Sequence, residues 1–308
     1  MGGSGGSFKI TPAEAHSFKE QMRERIAQQR SDADINAYLR RELLAANDRD
    51  TDKVNERIEE IEKALSDRVQ NVGELRFGGS IAKHTYVEGL SDVDLLVPLS
   101  DEHLVDHTPD ELRREFAKIL EGKLSAADVA EIDIGRLAVT VTYRDGTEIQ
   151  LLPAVNVGDT ISISAQDGKR WQHGIKPNEF TDKLTETNKT QGGLVVPVIK
   201  LAKEIIATQI PDERQPSGYH VEALAVSTFA DYTGPKTPKA MVTHLFKTAS
   251  GHVVHPAEDV TGQSVAVDHL LGDAGSPHRL ALSNELTGIA NKMERSQSVD
   301  DWKKLFGL

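Results

Sequence analysis

A two-lobed protein of the α/β (α+β) class, a small mixed sheet followed by a mainly helical lobe, is predicted by three features of the sequence. Apolar residues recur every three or four positions in residues 52–69 and again in residues 109–124. Short β-branched runs bounded by turn residues occupy much of the stretch from about Leu75 to Val155. Beyond about Ser164 the helical period returns and dominates. With 308 residues, the chain is long enough for one large domain or two closely packed ones without covalent staples. Residues 1–7 are set aside as a flexible Gly/Ser linker. Residues 8–165 are read as N-terminal helices plus the sheet core, and residues 166–308 as the helical lobe.

The elements follow in order. Thr11-Pro12-Ala13-Glu14 has a capping threonine, proline at the first helical position and glutamate three after the cap, so it starts a helix. In residues 52–69 the stripe Val54, Ile58, Ile61, Leu65 and Val69 makes a second helix with one buried face. Leu75-Arg76-Phe77, running into Gly78-Gly79-Ser80, and the apolar run 93–99 are read as two strands with a loop and a helical turn between them. Residues 109–124 place Leu112, Phe116, Ile119 and Leu120 on one side of a helix. The clearest hairpin joins residues 136–143 to residues 147–155 through Asp145-Gly146. Later helices are expected at 177–188, 194–209, 218–232, 277–295 and 299–306, and residues 233–271 carry no assignment.

Composition narrows the function classes. Hydrophobic residues at 38% and charged residues at 27% describe a globular chain. The absence of cysteine excludes disulfides, thiolate metal sites and a cysteine nucleophile. No run approaches about 18 apolar residues and no leader pattern is present, which gives a non-membrane, cytoplasmic reading. A net charge of -12 opposes stable binding to long nucleic acids, whose affinity comes largely from counterion release by lysine and arginine. A small phosphorylated substrate stays open, because local cations neutralise a phosphate whatever the global sign.

One constellation carries chemistry: Gly78-Gly79-Ser80, then eleven residues, then Asp92-Val93-Asp94 opening an apolar run. Alternate residues of a strand share a face, so Asp92 and Asp94 point one way while Val93 faces the core. Such a pair suits Mg²⁺, with Mn²⁺ as the alternative, because hard cations take carboxylates together with substrate phosphates. Glycines at 78 and 79 let backbone N–H groups approach a phosphate, and the Ser80 hydroxyl adds a donor. Taken singly, an Asp-X-Asp is a solvated turn and a Gly-Gly-Ser a helix cap; their order and spacing set them apart. His103 and His107, four apart, have the spacing of zinc ligands but equally that of a surface loop. His252 and His255 stand in a turn-rich stretch, and Trp171 and Tyr219 are either base-stacking rings or packing material.

These residues resemble a known signature. The run 78–86, Gly-Gly-Ser-Ile-Ala-Lys-His-Thr-Tyr, followed by 89–97, Gly-Leu-Ser-Asp-Val-Asp-Leu-Leu-Val, is similar to that of the DNA-polymerase-β-like nucleotidyltransferases. Within that superfamily it most resembles the bacterial cGAS/DncV-like group (CD-NTases), the cyclic oligonucleotide synthases of anti-phage defence (CBASS). Residues 148–154, 198–203 and 216–224 resemble, in order, a later strand before Pro-Ala, a lysine-bearing helix and the helix after it. The resemblance implies a polymerase-β-like core with a cleft between sheet and helical lobe. It also implies divalent ions on Asp92 and Asp94, triphosphate contacts from Gly79 and Ser80, and phosphate support from Lys200. Lys203, one turn on, is placed to share that role. Nucleoside triphosphates would be the substrates, a cyclic di- or oligonucleotide the product, and a product-sensing effector protein the partner.

Gln150 departs from the pattern, since the family commonly has a third acidic residue there that binds metal and helps deprotonate the attacking hydroxyl. A neutral amide cannot act as a base. Glu148 lies two residues earlier on the same strand face and is either a surrogate or a solvent-facing charge beside the turn. Gln150 is compatible with an enzyme that works with glutamine, with one disarmed by substitution, and with a silent nucleotide-binding regulator. Nucleotide transfer onto a protein or a tRNA end is a further reading.

Overall fold

The computed structural model describes residues 12–45, 51–66, 76–77, 93–99, 107–158, 160–165, 167–257, 268 and 271–308. Two helices come first, α1 (Pro12–Ala45) and α2 (Thr51–Ser66). The strands β1 (Arg76–Phe77) and β2 (Val93–Leu99) precede α3 (Pro109–Lys123). Five more strands follow, β3 (Val129–Ile134), β4 (Val139–Tyr143), β5 (Glu148–Val157), β6 (Thr160–Ser164) and β7 (Trp171–Ile175). The remainder is helical: α4 (Pro177–Thr190), α5 (Val195–Gln209), α6 (Gly218–Phe229), α7 (Pro238–His252), α8 (Pro277–Arg295) and α9 (Val299–Lys303).

The sheet is organised around β5. Along one edge β5 pairs in parallel with β2, from Val93 beside Ile149 to Leu99 beside Val155. Its other edge is shared, the first half pairing antiparallel with β4 and the second half with β6. The strands β1 and β3 lie at the ends of the main path and β7 extends from β6. The sheet is therefore mixed, as the sequence predicts, but larger than the predicted hairpin plus two strands. Strands β3, β6 and β7 were not anticipated. In β3 the residues alternate poorly, with Glu131 and Asp133 exposed on an edge strand, and β7 (WQHGI) is polar with Gly174 at φ +76°. Edge strands need only a weak apolar pattern, so their signal is faint.

One face of the sheet is sealed. Leu95, Val97 and Leu99 of β2, Val139 and Val141 of β4 and Ile149 and Leu151 of β5 are buried against Ile61 and Leu65 of α2 and Leu112, Phe116 and Leu120 of α3. Thr108 and Glu111 cap α3 reciprocally, with Pro109 in the first turn. From α3 the buried Arg113 donates to Ser164 Oγ and the Gly168 carbonyl, both at 2.8 Å, which ties the β6–β7 hairpin down. Gly168 has φ +69°, and a Cβ there would stand 2.5 Å from the Arg136 carbonyl, so only glycine fits.

A second core lies in the helical lobe, formed by α4 to α9. Although first in the chain, α1 gives Ile35, Tyr38 and Leu39 to this core, while α2 serves the sheet. Helix α7 falls in the stretch the sequence left unassigned, where Met241, Val242, Leu245 and Phe246 pack inward. No helix among the described residues is long and apolar enough to cross a membrane.

An ion pair holds the end of α7 to the start of α8. Arg279 is 1% exposed and donates to Asp268 Oδ2 at 2.6 Å, to the carbonyls of Val253 and His255 at 3.1 and 2.9 Å, and through Nε to Gly272 O at 2.8 Å. Burial raises the proton affinity of Asp268, but hydrogen bonds from Arg279 and the Ala257 amide outweigh it and leave the pKa lowered. Replacing Arg279 strands a buried carboxylate and several carbonyls. Arg279→Met is expected to lower unfolding free energy by about 3–5 kcal/mol, read as a drop in the urea midpoint with m unchanged.

Candidate functional site

Strand alternation leaves the opposite face of the sheet half-exposed and polar. Asp94 of β2, Gln150 of β5 and Thr140 of β4 form one row, because Asp94 pairs with Gln150 and Gln150 with Thr140. The next row sets Glu148 beside Thr142, whose Oγ1 lies 3.5 Å from Glu148 Oε1. All five are half-buried, whereas Leu95, Ile149 and Val141 between them are sealed. Farther along, Leu96 and Leu152 continue the same face with apolar groups. The polar groups therefore gather at one end of the β2–β5 pair.

Adjacent strands stand about 4.8 Å apart, so the Asp94 carboxylate and the Gln150 amide are immediate neighbours. Two carboxylates and an amide oxygen on a half-exposed surface are hard oxygen donors, a set that fits Mg²⁺ or Mn²⁺ better than a softer ion. Among the described residues no three His, Cys, Asp or Glu side chains group as metal ligands. Asp92, Gly79 and Ser80 lie outside the described residues, as do His103 and the 1–7 linker.

The lysines of α5 have distinct surroundings. Lys203 is buried, and its Nζ donates to Glu222 Oε1 of α6 at 3.0 Å. Glu222, 1% exposed, was not singled out from the sequence; a glutamate within the apolar run of α6 was the available signal. The same ammonium lies close to Gly218, where an added Cβ would meet it at 3.4 Å. Lys200 is half-buried, and its charge acts on Glu204. Burial, reinforced by the Glu42 charge from α1 and opposed by Lys200, pushes the Glu204 carboxyl up to about 7.

The remaining candidates are structural. Trp171 donates to the His107 carbonyl at 3.0 Å and packs on the sheet core. Tyr219 lies tilted against Phe180, ring centroids 4.7 Å apart, within the helical lobe. The carbonyls of His252 and His255 enter backbone and Arg279 hydrogen bonds, respectively.

Residues 58–148 match the family model described as a nucleotidyltransferase domain, from within α2 to the first residue of β5. Comparison with curated protein sequences finds no match. Among solved structures, CdnC of Escherichia coli MS115-1 with ATP aligns at TM-score 0.62 and 15% identity, over 86% of this chain and 92% of that one. The 3'-deoxy GTP bound form of Escherichia coli DncV aligns at TM-score 0.60 and 14% identity, over 97% of this chain and 90% of that one. The CdnE cyclic dinucleotide synthase of Elizabethkingia meningoseptica, solved with GTP and Apcpp, aligns at TM-score 0.55 and 17% identity, over 76% and 91%. The chain thus has the polymerase-β-like nucleotidyltransferase fold, which it shares with these three structures.

The raised Glu204 pKa makes stability depend on pH. The folded state binds this proton more tightly than the unfolded chain, whose carboxyl has the ordinary value of 4.5. The contribution is therefore intact below about pH 4.5 and is lost as pH rises through about 7. Glu204→Gln should match the parent at pH 4 and exceed it at pH 8 by up to about 3 kcal/mol, measured by urea unfolding at the two pH values.

Proposed function

We propose that this chain is a metal-dependent nucleotidyltransferase that joins nucleoside triphosphates into a cyclic di- or oligonucleotide and releases pyrophosphate. The observation that supports this most directly is the row formed by Asp94 and Gln150, with Glu148 one row away, on the open face of a sheet of this fold. A ribose hydroxyl attacks the α-phosphorus of a second nucleotide, the bond from that phosphorus to the bridging oxygen breaks, and pyrophosphate leaves. When bound, a divalent cation supplies charge neutralisation and makes the attacking hydroxyl easier to deprotonate. Asp94 is the carboxylate that would hold it among the described residues, together with Asp92 by sequence adjacency.

The proton of the attacking hydroxyl needs an acceptor. Gln150 occupies the central position but its amide cannot take a proton. Glu148 is ionisable, half-exposed and on the same strand face, so on this reading it serves as the base and Gln150 orients substrate by hydrogen bonding. Gly79 and Ser80 are assigned to the triphosphate and Lys200 to phosphate support. Lys203 is bound up with Glu222 and contributes through the position of α5 against α6. The product would act as a second messenger for an effector protein in anti-phage defence, in the cytoplasm.

Gln150 also favours a second reading, a scaffold that binds nucleotide without turnover. Incubation with labelled ATP, GTP, CTP and UTP and Mg²⁺ or Mn²⁺ separates the two. The transferase reading expects a phosphatase-resistant product, lost by about 10²-fold or more in Asp94→Ala while the fold persists by circular dichroism. Nucleotide binding without product in the parent, with product appearing in Gln150→Asp, would establish the silent regulator instead. Label transferred to a macromolecule in added cell extract would point to a protein or tRNA acceptor.

A further inference from the structure

Among the described residues, the C-terminal part of α1 is the part seated on the body. Ser31 donates to the Gln297 carbonyl, Lys239 reaches Asp32 at 2.6 Å, and Ile35, Tyr38 and Leu39 enter the helical core. Ahead of that anchor, every residue from His16 to Arg30 is exposed. At about 1.5 Å per residue this is an arm of roughly 25 Å. The arm is not uniformly polar: Phe18, Met22 and Ile26 are 64, 40 and 45% exposed and recur every fourth residue, one above the next on a single face. A lone exposed leucine needs no explanation, but a continuous stripe on an otherwise unsupported helix does. A helix of about this length is marginal in water on its own, and in proteins it draws its stability from packing of the apolar face.

The charges around the stripe are sorted. At about 100° per residue, Lys19, Arg23 and Arg25 flank the stripe, Glu14 and Arg30 continue its line at the two ends, and Glu20 and Glu24 fall on the far side of the helix. A chain of net charge -12 thus presents its apolar ridge inside a basic rim. We infer that residues 12–30 of α1 form a docking arm for an acid-rimmed apolar groove or helix on another protein. The ridge supplies anchors at i, i+4 and i+8, the pattern of helix-in-groove recognition, and the rim supplies electrostatic complementarity. A second copy of the arm is the wrong occupant, because side-by-side packing brings the basic flanks together. An anionic bilayer fits less well. The ridge has only three bulky side chains and no tryptophan or leucine, and the acidic body behind it is repelled by such a surface. This inference is independent of the transferase reading.

The test uses the full chain and two synthetic helical peptides with leucine seams, one flanked by glutamate and one by lysine. Fluorescence anisotropy is expected to show binding of the glutamate-flanked peptide alone, weakened by salt. The double substitution Met22→Glu with Ile26→Glu should weaken it about tenfold or more without shifting the melting temperature, since both side chains are exposed. Absence of binding by the glutamate-flanked peptide, equal binding of the two peptides, or unchanged binding in the double variant overturns the proposal. So does capture of the parent by phosphatidylserine vesicles that the double variant escapes, which would assign the arm to lipid. Arm-dependent self-association in sedimentation likewise overturns it, by assigning the arm to a second copy.

Discussion

The parallel pairing of β2 with β5 is the constraint on which the rest depends. Seven consecutive registered pairs, Val93 with Ile149 through Leu99 with Val155, fix two segments more than fifty residues apart in sequence. A slip of one residue would turn Asp94 into the space under α2 and α3 and expose Leu95 and Val97. Burial of the apolar set therefore specifies where the polar set emerges. The polar end of the sheet, with Asp94, Gln150 and Glu148, is held in place by the free energy of the core beneath it.

Parallel pairing also explains why β5 is the longest strand and sits centrally. A parallel connection cannot close through a tight hairpin, so α3 crosses over and brings Phe116 and Leu120 onto the sheet. The antiparallel partners then divide the other edge of β5 between them, β4 beside the polar end and β6 beyond it. Arg113 and Trp171, which tie α3 and the segment before it to the β6–β7 hairpin, keep that second half from peeling away.

Much of this was legible in the residues. β2 was readable to its limits because, Asp94 apart, it is an apolar run ending at Pro98 and Leu99, and α3 because its cap, its proline and its stripe agree. The hairpin turn at Asp145-Gly146 was equally plain, yet its first strand begins at Val139, three residues later than the alternation suggested. What escaped was whatever depends on distant partners. α7 has its apolar residues set among Gly, Pro and His, and its burial comes from α5, α6 and α8, which no local window contains. The sequence grouped α1 with the sheet-bearing half, whereas its buried residues pack into the helical core, a choice made by tertiary contact. At the site, the spacing of Asp94, Glu148 and Gln150 along alternating strands was readable, and the structure sets them on one face. The burial of Lys203 against Glu222 was not readable, since a lysine on an amphipathic helix gives no sign of a carboxylate on the next one.

Gln150 changes the charge of the site as well as its proton chemistry. Two successive same-face residues of a strand are about 6.7 Å apart, so a carboxylate at 148 is displaced toward the beginning of β5 by that distance relative to one at 150. The longer glutamate side chain recovers only part of the gap. The centre of the row therefore carries Asp94 beside a neutral amide, with less negative charge to hold a divalent ion unaided. On the transferase reading, the missing charge must come from the triphosphate itself. Nucleotide and cation then enter as one unit, each needed to retain the other, and the face of the sheet contributes its alignment more than its charge.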